Sequence, residues 1–104
     1  NIIGWHADNE NEYCYILDYK NTFIENLDNP YSNNWNDLSQ FRKTYQSSDG
    51  SIIDFENYEE SLPLIIFYPS GENSGGIISI FLNDYTQQIT INTNGKIGSE
   101  ITSD

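Results

Sequence analysis

The chain has 104 residues, the length of one domain with a modest core. Sixteen acidic side chains against four basic ones give a net charge of −12. Neutralising phosphates requires clustered Lys and Arg, and here only Arg42 and Lys43 adjoin, with Lys20 and Lys96 isolated, so nucleic acid and anionic membrane surfaces are disfavoured as partners. The acidity reads first as solubility and self-repulsion, and more sharply as a match for a basic partner surface. Hydrophobic residues at 37 % and aromatics at 14 % speak against disorder. Tyr and Ile favour strands, while Ala occurs once and Met not at all, so helix-building residues are scarce.

In chain order, Ile2–His6 and Tyr13–Tyr19 read as two strands joined by the polar loop ADNENE. An Asn-rich polar region, Lys20–Asn36, follows. Within it Thr22 and Glu25 form a capping-box pattern that allows a short helix over Phe23–Leu27. Asn29-Pro30 breaks regular structure, and Trp35 and Leu38 are the apolar anchors beyond it. Asp49-Gly50 marks a turn into a strand over Ser51–Phe55, and Asn57–Ser61 is a polar connection. Leu64–Tyr68 is apolar at every position, which predicts a central strand buried on both sides, ended by Pro69 and Gly71.

Ser74-Gly75-Gly76 then reads as a flexible turn, and Ile77–Leu82 as a second strongly apolar strand. Asn83-Asp84 turns the chain into a strand over Gln88–Thr93, where Ile89 and Ile91 alternate with polar residues. Asn94-Gly95 predicts a type I′ hairpin, with Lys96–Ile101 returning. The expected fold is mainly β, a single domain over 1–104, with about seven or eight short strands in a sandwich or a pair of packed antiparallel sheets.

Few residues invite chemistry. Cys14 is the lone cysteine, which excludes an internal disulfide and a Cys-based metal site. It lies in the apolar run YCYIL and reads as a packed thiol. His6 is the sole histidine and reads as packed or superficial rather than as a general base. PSGENSGG places Ser70 and Ser74 among glycines but fits neither the nucleophile elbow nor a phosphate loop. Glu59 and Glu60 are a carboxylate pair expected from composition alone. The loop Asp8–Glu12 begins like a calcium loop, but Tyr13 and Tyr19 stand where the turn Gly and the closing Glu belong. A solvated hairpin loop is the simpler reading, with a weak calcium site left open. Trp5, Trp35 and the tyrosines suit sugar stacking or a small β-core equally. No catalytic residue, cofactor or metal is expected.

The run P-L-I-I-F-Y-P-S-G-E from Pro63 to Glu72, a Gly-containing turn, the strand Ile77–Leu82, a further strand and the ending Asn94-Gly95-Lys96-Ile97 resemble the C-terminal half of the H-type minor pseudopilins of type II secretion. The related type IV minor pilins share the pattern: a strand, a Phe-x-Pro-x-Gly turn, two strands and a Gly-basic-aliphatic ending. Pro63, Phe67, Pro69, Gly71, Gly95, Lys96 and Ile97 match it one by one, with Glu72 closing the run. The likeness covers about the last forty residues most specifically. Upstream, Tyr13–Leu17, Trp35, Leu38 and Arg42 match more loosely, and 20–34 looks like an enlarged loop.

The resemblance implies a periplasmic pseudopilin head of two packed β-sheets. Its longer precursor would carry an N-terminal transmembrane helix, upstream of Asn1, as the sole tie to the inner membrane. With no leader and no apolar span in it, the sequence reads as part of such a precursor or as a mature form. The implied role is a non-catalytic subunit near the pseudopilus tip, with other minor pseudopilins and the major pseudopilin as partners and no nucleic acid. Alternatives are a type IV minor pilin, an extracellular carbohydrate-binding β-sandwich and, more remotely, a small hydrolase.

Overall fold

The computed structural model describes residues 2–17, 31–57 and 63–103. The helix expected over Phe23–Leu27 with its Thr22 and Glu25 pair, the Asn29-Pro30 break, and Glu59 and Glu60 lie outside them. Nine strands are described: β1 (Ile3–Ala7), β2 (Asn11–Ile16), β3 (Tyr31–Asn34), β4 (Arg42–Gln46), β5 (Ile52–Asp54), β6 (Ile65–Phe67), β7 (Gly76–Phe81), β8 (Tyr85–Ile91) and β9 (Ile97–Ser103). Short 3₁₀ turns cover Asn36–Leu38 and Phe55–Asn57. The fold is mainly β, with two antiparallel sheets in the orders β3-β2-β1-β6 and β5-β4-β7-β8-β9.

Strand alternation explains the core. In β1, Trp5 and Ala7 point to one side and Gly4 and His6 to the other. Trp5 and Ala7 are buried with Ile65 of β6, Tyr45 of β4, Ile78 of β7 and Phe55. Trp5 meets Phe55 edge-on, with ring centroids 6.2 Å apart. Cys14 and Phe67 pack against the same cluster from the first sheet, and Ile53, Ile89 and Ile91 from the second.

Three expectations need correction. Leu64–Tyr68 is not a central strand. Only Ile65–Phe67 is extended, and β6 lies at the edge of its sheet beside β1. Its apolar character on both sides is real, because Ile65 faces the core while Ile66 sits beside Gly4 on the opposite side of the sheet, where Tyr15 and Leu17 are buried. Two-sided apolarity reports two covered faces and does not report two paired edges. Secondly, β3 falls in the segment read as a polar, Asn-rich region, and β4 in a stretch to which the sequence assigns no element. β4 is central in the second sheet, yet an inward Lys43 interrupts its apolar alternation.

Thirdly, the Asn94-Gly95 hairpin is not type I′, which needs a positive φ at both central residues. Gly95 has φ +94°, and Asn94 is not in the left-handed region. Asn92 N–H donates to Lys96 O (2.8 Å) and Gly95 N–H to Asn92 O (2.9 Å), so Gly95 is the fourth residue of a turn and forms a glycine bulge. The same pattern recurs twice. Ser47 N–H donates to Ser51 O and Gly50 N–H to Ser47 O, and Tyr68 N–H donates to Glu72 O and Gly71 N–H to Tyr68 O. Gly50 and Gly71 have φ +92° and +93°. Pro69 occupies the second position of its turn, where its fixed φ is already suited.

Gly76 opens β7 at φ +143°, and a Cβ there would lie 2.3 Å from the Tyr45 ring. That ring is buried, and its hydroxyl donates to Gly75 O at 2.6 Å. Gly76→Ala is therefore expected to destabilise the fold by about 3 kcal/mol in urea unfolding, through overpacking and backbone strain. Gly98→Ala, where a Cβ meets nothing within 4 Å, is expected to be neutral or slightly stabilising in the same measurement.

Candidate functional site

The run after β6 draws the molecule together. Asn73 is 6 % exposed and bridges Phe67 at the free edge of β6. Its backbone N–H donates to Thr93 O (3.1 Å) and its Nδ2 to Asn92 O (2.9 Å), while its Oδ1 accepts from Gly75 N–H (2.7 Å). Ser74 N–H donates to Ile66 O (3.0 Å), Ser74 Oγ accepts from Ile66 N–H (2.9 Å), and Ser74 O accepts from Ser48 Oγ (2.7 Å). Ser74-Gly75-Gly76 is thus a strap tied to β6, to the β4–β5 turn and to Tyr45, not a flexible turn. Buried amide and carbonyl groups must find partners, and here they find them on β6, on the β8–β9 hairpin, on the β4–β5 turn and within the strap itself.

All of the motif residues except Pro63 sit around this strap. Pro63 is half-buried at the far end of β6, where Leu64 N–H extends the ladder to Trp5 O (2.7 Å). Phe67 is half-buried against the core. Pro69, Gly71 and Glu72 form the exposed turn, and Gly95, Lys96 and Ile97 the exposed hairpin. The two turns meet, since a Cβ on Gly95 would lie 3.0 Å from Gly71 O. Of the two residues that make the junction, Ser74 stands out in the sequence only as a turn residue among glycines, and Asn73 does not stand out. A signal exists there all the same: two polar side chains between two strongly apolar strands need internal partners when buried.

The opposite end of the sandwich holds a buried cation. Lys43 is 0 % exposed, and its Nζ donates to Phe41 O (2.8 Å) and Asn9 O (3.1 Å). The ammonium lies 5.4 Å from the centroid of Trp35, whose Nε1 donates to Asp8 O (2.9 Å). Burial lowers the Lys43 pKa, and the Asp8 carboxylate opposes that fall. Asp8 itself accepts from Glu10 N–H, Asn11 N–H and the Tyr13 hydroxyl. A carbonyl of the Asp8–Glu12 loop thus already serves a cation of the chain. Among the described residues, no group of three His, Cys, Asp or Glu side chains is placed to hold a metal ion.

The groups with reactive chemistry are separated. His6 and Cys14 lie on opposite faces of the first sheet, since His6 pairs with Tyr13 and Cys14 with Trp5. His6 stacks on Tyr13 (4.8 Å), and its Nδ1 is 3.1 Å from the Tyr15 hydroxyl. Burial lowers the imidazole pKa, with Asp8 acting in the opposite sense. Burial, then Glu12, raises that of the Cys14 thiol, which disfavours the thiolate. Ser70 Oγ accepts from Glu72 N–H, and Ser74 Oγ is held in the strap. Trp5 is in the core and Trp35 covers Lys43, so neither tryptophan is an exposed sugar platform. An open cleft of about 270 Å³ beside the strap is lined by Gln46, Ser47, Ser48, Ile77 and Thr90 among others, with no titratable side chain in its lining.

No protein-family model matches the chain, and neither a curated protein nor a solved structure does.

This geometry leads to three expected outcomes. Asn73→Ala leaves the buried Gly75 N–H unpaired and removes one of the two hydrogen bonds to Asn92 O, and is expected to cost about 1–3 kcal/mol in urea unfolding. The neighbouring exposed Glu72→Ala is expected to stay within about 0.5 kcal/mol. For His6, the folded pKa lies below the ordinary value of 6.5, so the unfolded chain binds more protons as pH falls. The stability carried by neutral His6 is complete above pH 6.5 and is lost as pH falls from there toward the lower folded pKa. Thermal unfolding between pH 7 and 5 should therefore slope less steeply in His6→Gln than in the parent chain.

Proposed function

We propose that this chain is the head domain of an H-type minor pseudopilin, a non-catalytic subunit that acts in type II secretion by assembling near the pseudopilus tip. The observation that carries the reading is the segment Pro63–Glu72 together with the strands and hairpin C-terminal to it. The described order of strand β6, Pro69–Gly71 turn, strands β7 and β8, and a hairpin ending Gly95-Lys96-Ile97 agrees with the family's pattern. Two packed antiparallel sheets and a chain of net charge −12 are in keeping with a periplasmic head that works by contact. The partners would be other minor pseudopilins and the major pseudopilin, and the membrane tie would be an N-terminal helix encoded upstream of Asn1.

Assembly without chemistry is also supported by how the polar groups are employed. His6, Lys43, Ser74 and Asn73 all serve packing or backbone satisfaction. Of the four basic residues, Lys43 is buried and Arg42 is paired with Asp54 at 2.7 Å, which weakens the case for a DNA-capturing minor pilin.

The coding sequence before Asn1 tests the proposal. A short basic leader followed by an apolar run with an early Glu is expected, and a frame without that segment would overturn it. Titration with duplex DNA at low salt is expected to give no shift, whereas tight binding would favour the type IV pilus alternative. Phe67→Ala should destabilise the whole fold by about 2–3 kcal/mol. An intact fold with selective loss of partner binding would instead place Phe67 in an interface.

A further inference from the structure

Sheet edges left unpaired invite other strands, and proteins blunt them with short strands, charges, proline or cover. Three edges here are blunted. β3 has four residues and β5 three. β6 also has three, and its free side is occupied by Asn73 and Ser74. β9 differs. It runs seven residues, every one exposed, and among the described residues only β8 pairs with it. It contains no proline and one charge, Glu100.

The register gives β9 two unlike sides. Ile97, Ser99 and Ile101 face the same side as the core residues Ile78 and Ile80, through Ile91, Ile89 and Gln87 of β8. Yet Ile97 and Ile101 remain 69 % and 63 % exposed, and Tyr85 beside them 50 %. The inner side of the second sheet therefore continues past the shared core as an uncovered apolar strip. On the outer side stand Gly98, Glu100 and Thr102.

Charge selects the occupant. A second copy would bring another −12, and a two-fold pairing centred on β9 would set Glu100 against Glu100. Lys43 is buried, Arg42 is paired, and Lys96 just before β9 is the one other described cation, so the described surface has little cation to offer Glu100. We propose that β9 is a docking edge for an extended segment of a partner protein in which apolar residues alternate with Lys or Arg. Its apolar residues cover Ile97 and Ile101, its cations lie beside Glu100, and its backbone extends the sheet by one strand. The proposal rests on the assembly reading for the existence of a protein partner, and on the geometry of β9 for the place and the chemistry.

The test uses the isotopically labelled full chain and a synthetic peptide alternating Val and Lys, matched in length to β9. Amide chemical shifts and hydrogen exchange are followed by NMR. The expected result is shift changes confined to β8 and β9, slowed exchange at alternate β9 amides, and binding at least about tenfold weaker in the Ile97→Lys, Ile101→Lys double variant. Both positions are exposed, so that variant should fold. Equal binding by a peptide of the same composition with its Val and Lys in separate blocks would overturn the proposal, as would shifts spread over the acidic surface. So would exchange protection of β9 that grows with protein concentration alone, with a dimer in sedimentation, because the occupant would then be a second copy. An upstream prepilin segment combined with a β9 indifferent to the peptide would keep the pseudopilin reading and remove the docking edge.

Discussion

The hydrogen-bonded strap Asn73–Gly76 is the constraint on which the arrangement of the two sheets depends. Within four residues the chain closes the free edge of β6, holds the backbone of the β8–β9 hairpin at Asn92 and Thr93, accepts Ser48 from the β4–β5 turn, and enters β7 against the Tyr45 ring. Each contact is ordinary in strength, on the order of 1 kcal/mol net. Their effect comes from convergence, because one four-residue run is bonded to β6, to the β8–β9 hairpin and to the β4–β5 turn at once. Gly75 and Gly76 take positive φ, and the missing side chain of Gly76 lets the Tyr45 ring pack close enough to bond Gly75 O.

Much of the β architecture is legible from residues 64–101, where apolar strands alternate with Gly, Asn and Asp turns. Ile77–Leu82 and the returning strand after Lys96 match β7 and β9 within two residues. The failures have physical causes. β4 is hidden because an inward lysine mimics an outward one in a sequence, and what makes Lys43 tolerable, two carbonyls and the Trp35 ring, comes from elsewhere in the chain. β6 reads as central because both of its faces are covered, whereas edge position depends on strand order, which local hydrophobicity does not encode. Asn94-Gly95 signals a left-handed residue correctly, but a type I′ turn and a glycine bulge differ by one residue in where that residue falls.

For the candidate site, the motif residues are legible and the reason for them is not. In sequence, Phe67, Pro69, Gly71 and Gly95 read as one turn and one separate hairpin. In the fold they are a single junction, with Gly71 and Gly95 in near contact and Asn73 joining them. That junction carries no evident reactive group. The titratable residues elsewhere, His6 between two tyrosines and Lys43 under Trp35, are held by packing. The chain also presents an excess of negative charge and, among the described residues, a long edge of β9 with no strand paired to it.

Native-state hydrogen exchange, amide by amide, tests the role of the strap most directly. If the strap closes the sandwich, the amides of Asn73, Ser74, Gly75 and Ile66 exchange only through global unfolding, with the same free energy as the central strands β4 and β7. Exchange of those four amides through a low-energy local opening, with β4 and β7 still protected, would contradict it, because the two sheets would then hold together without the strap.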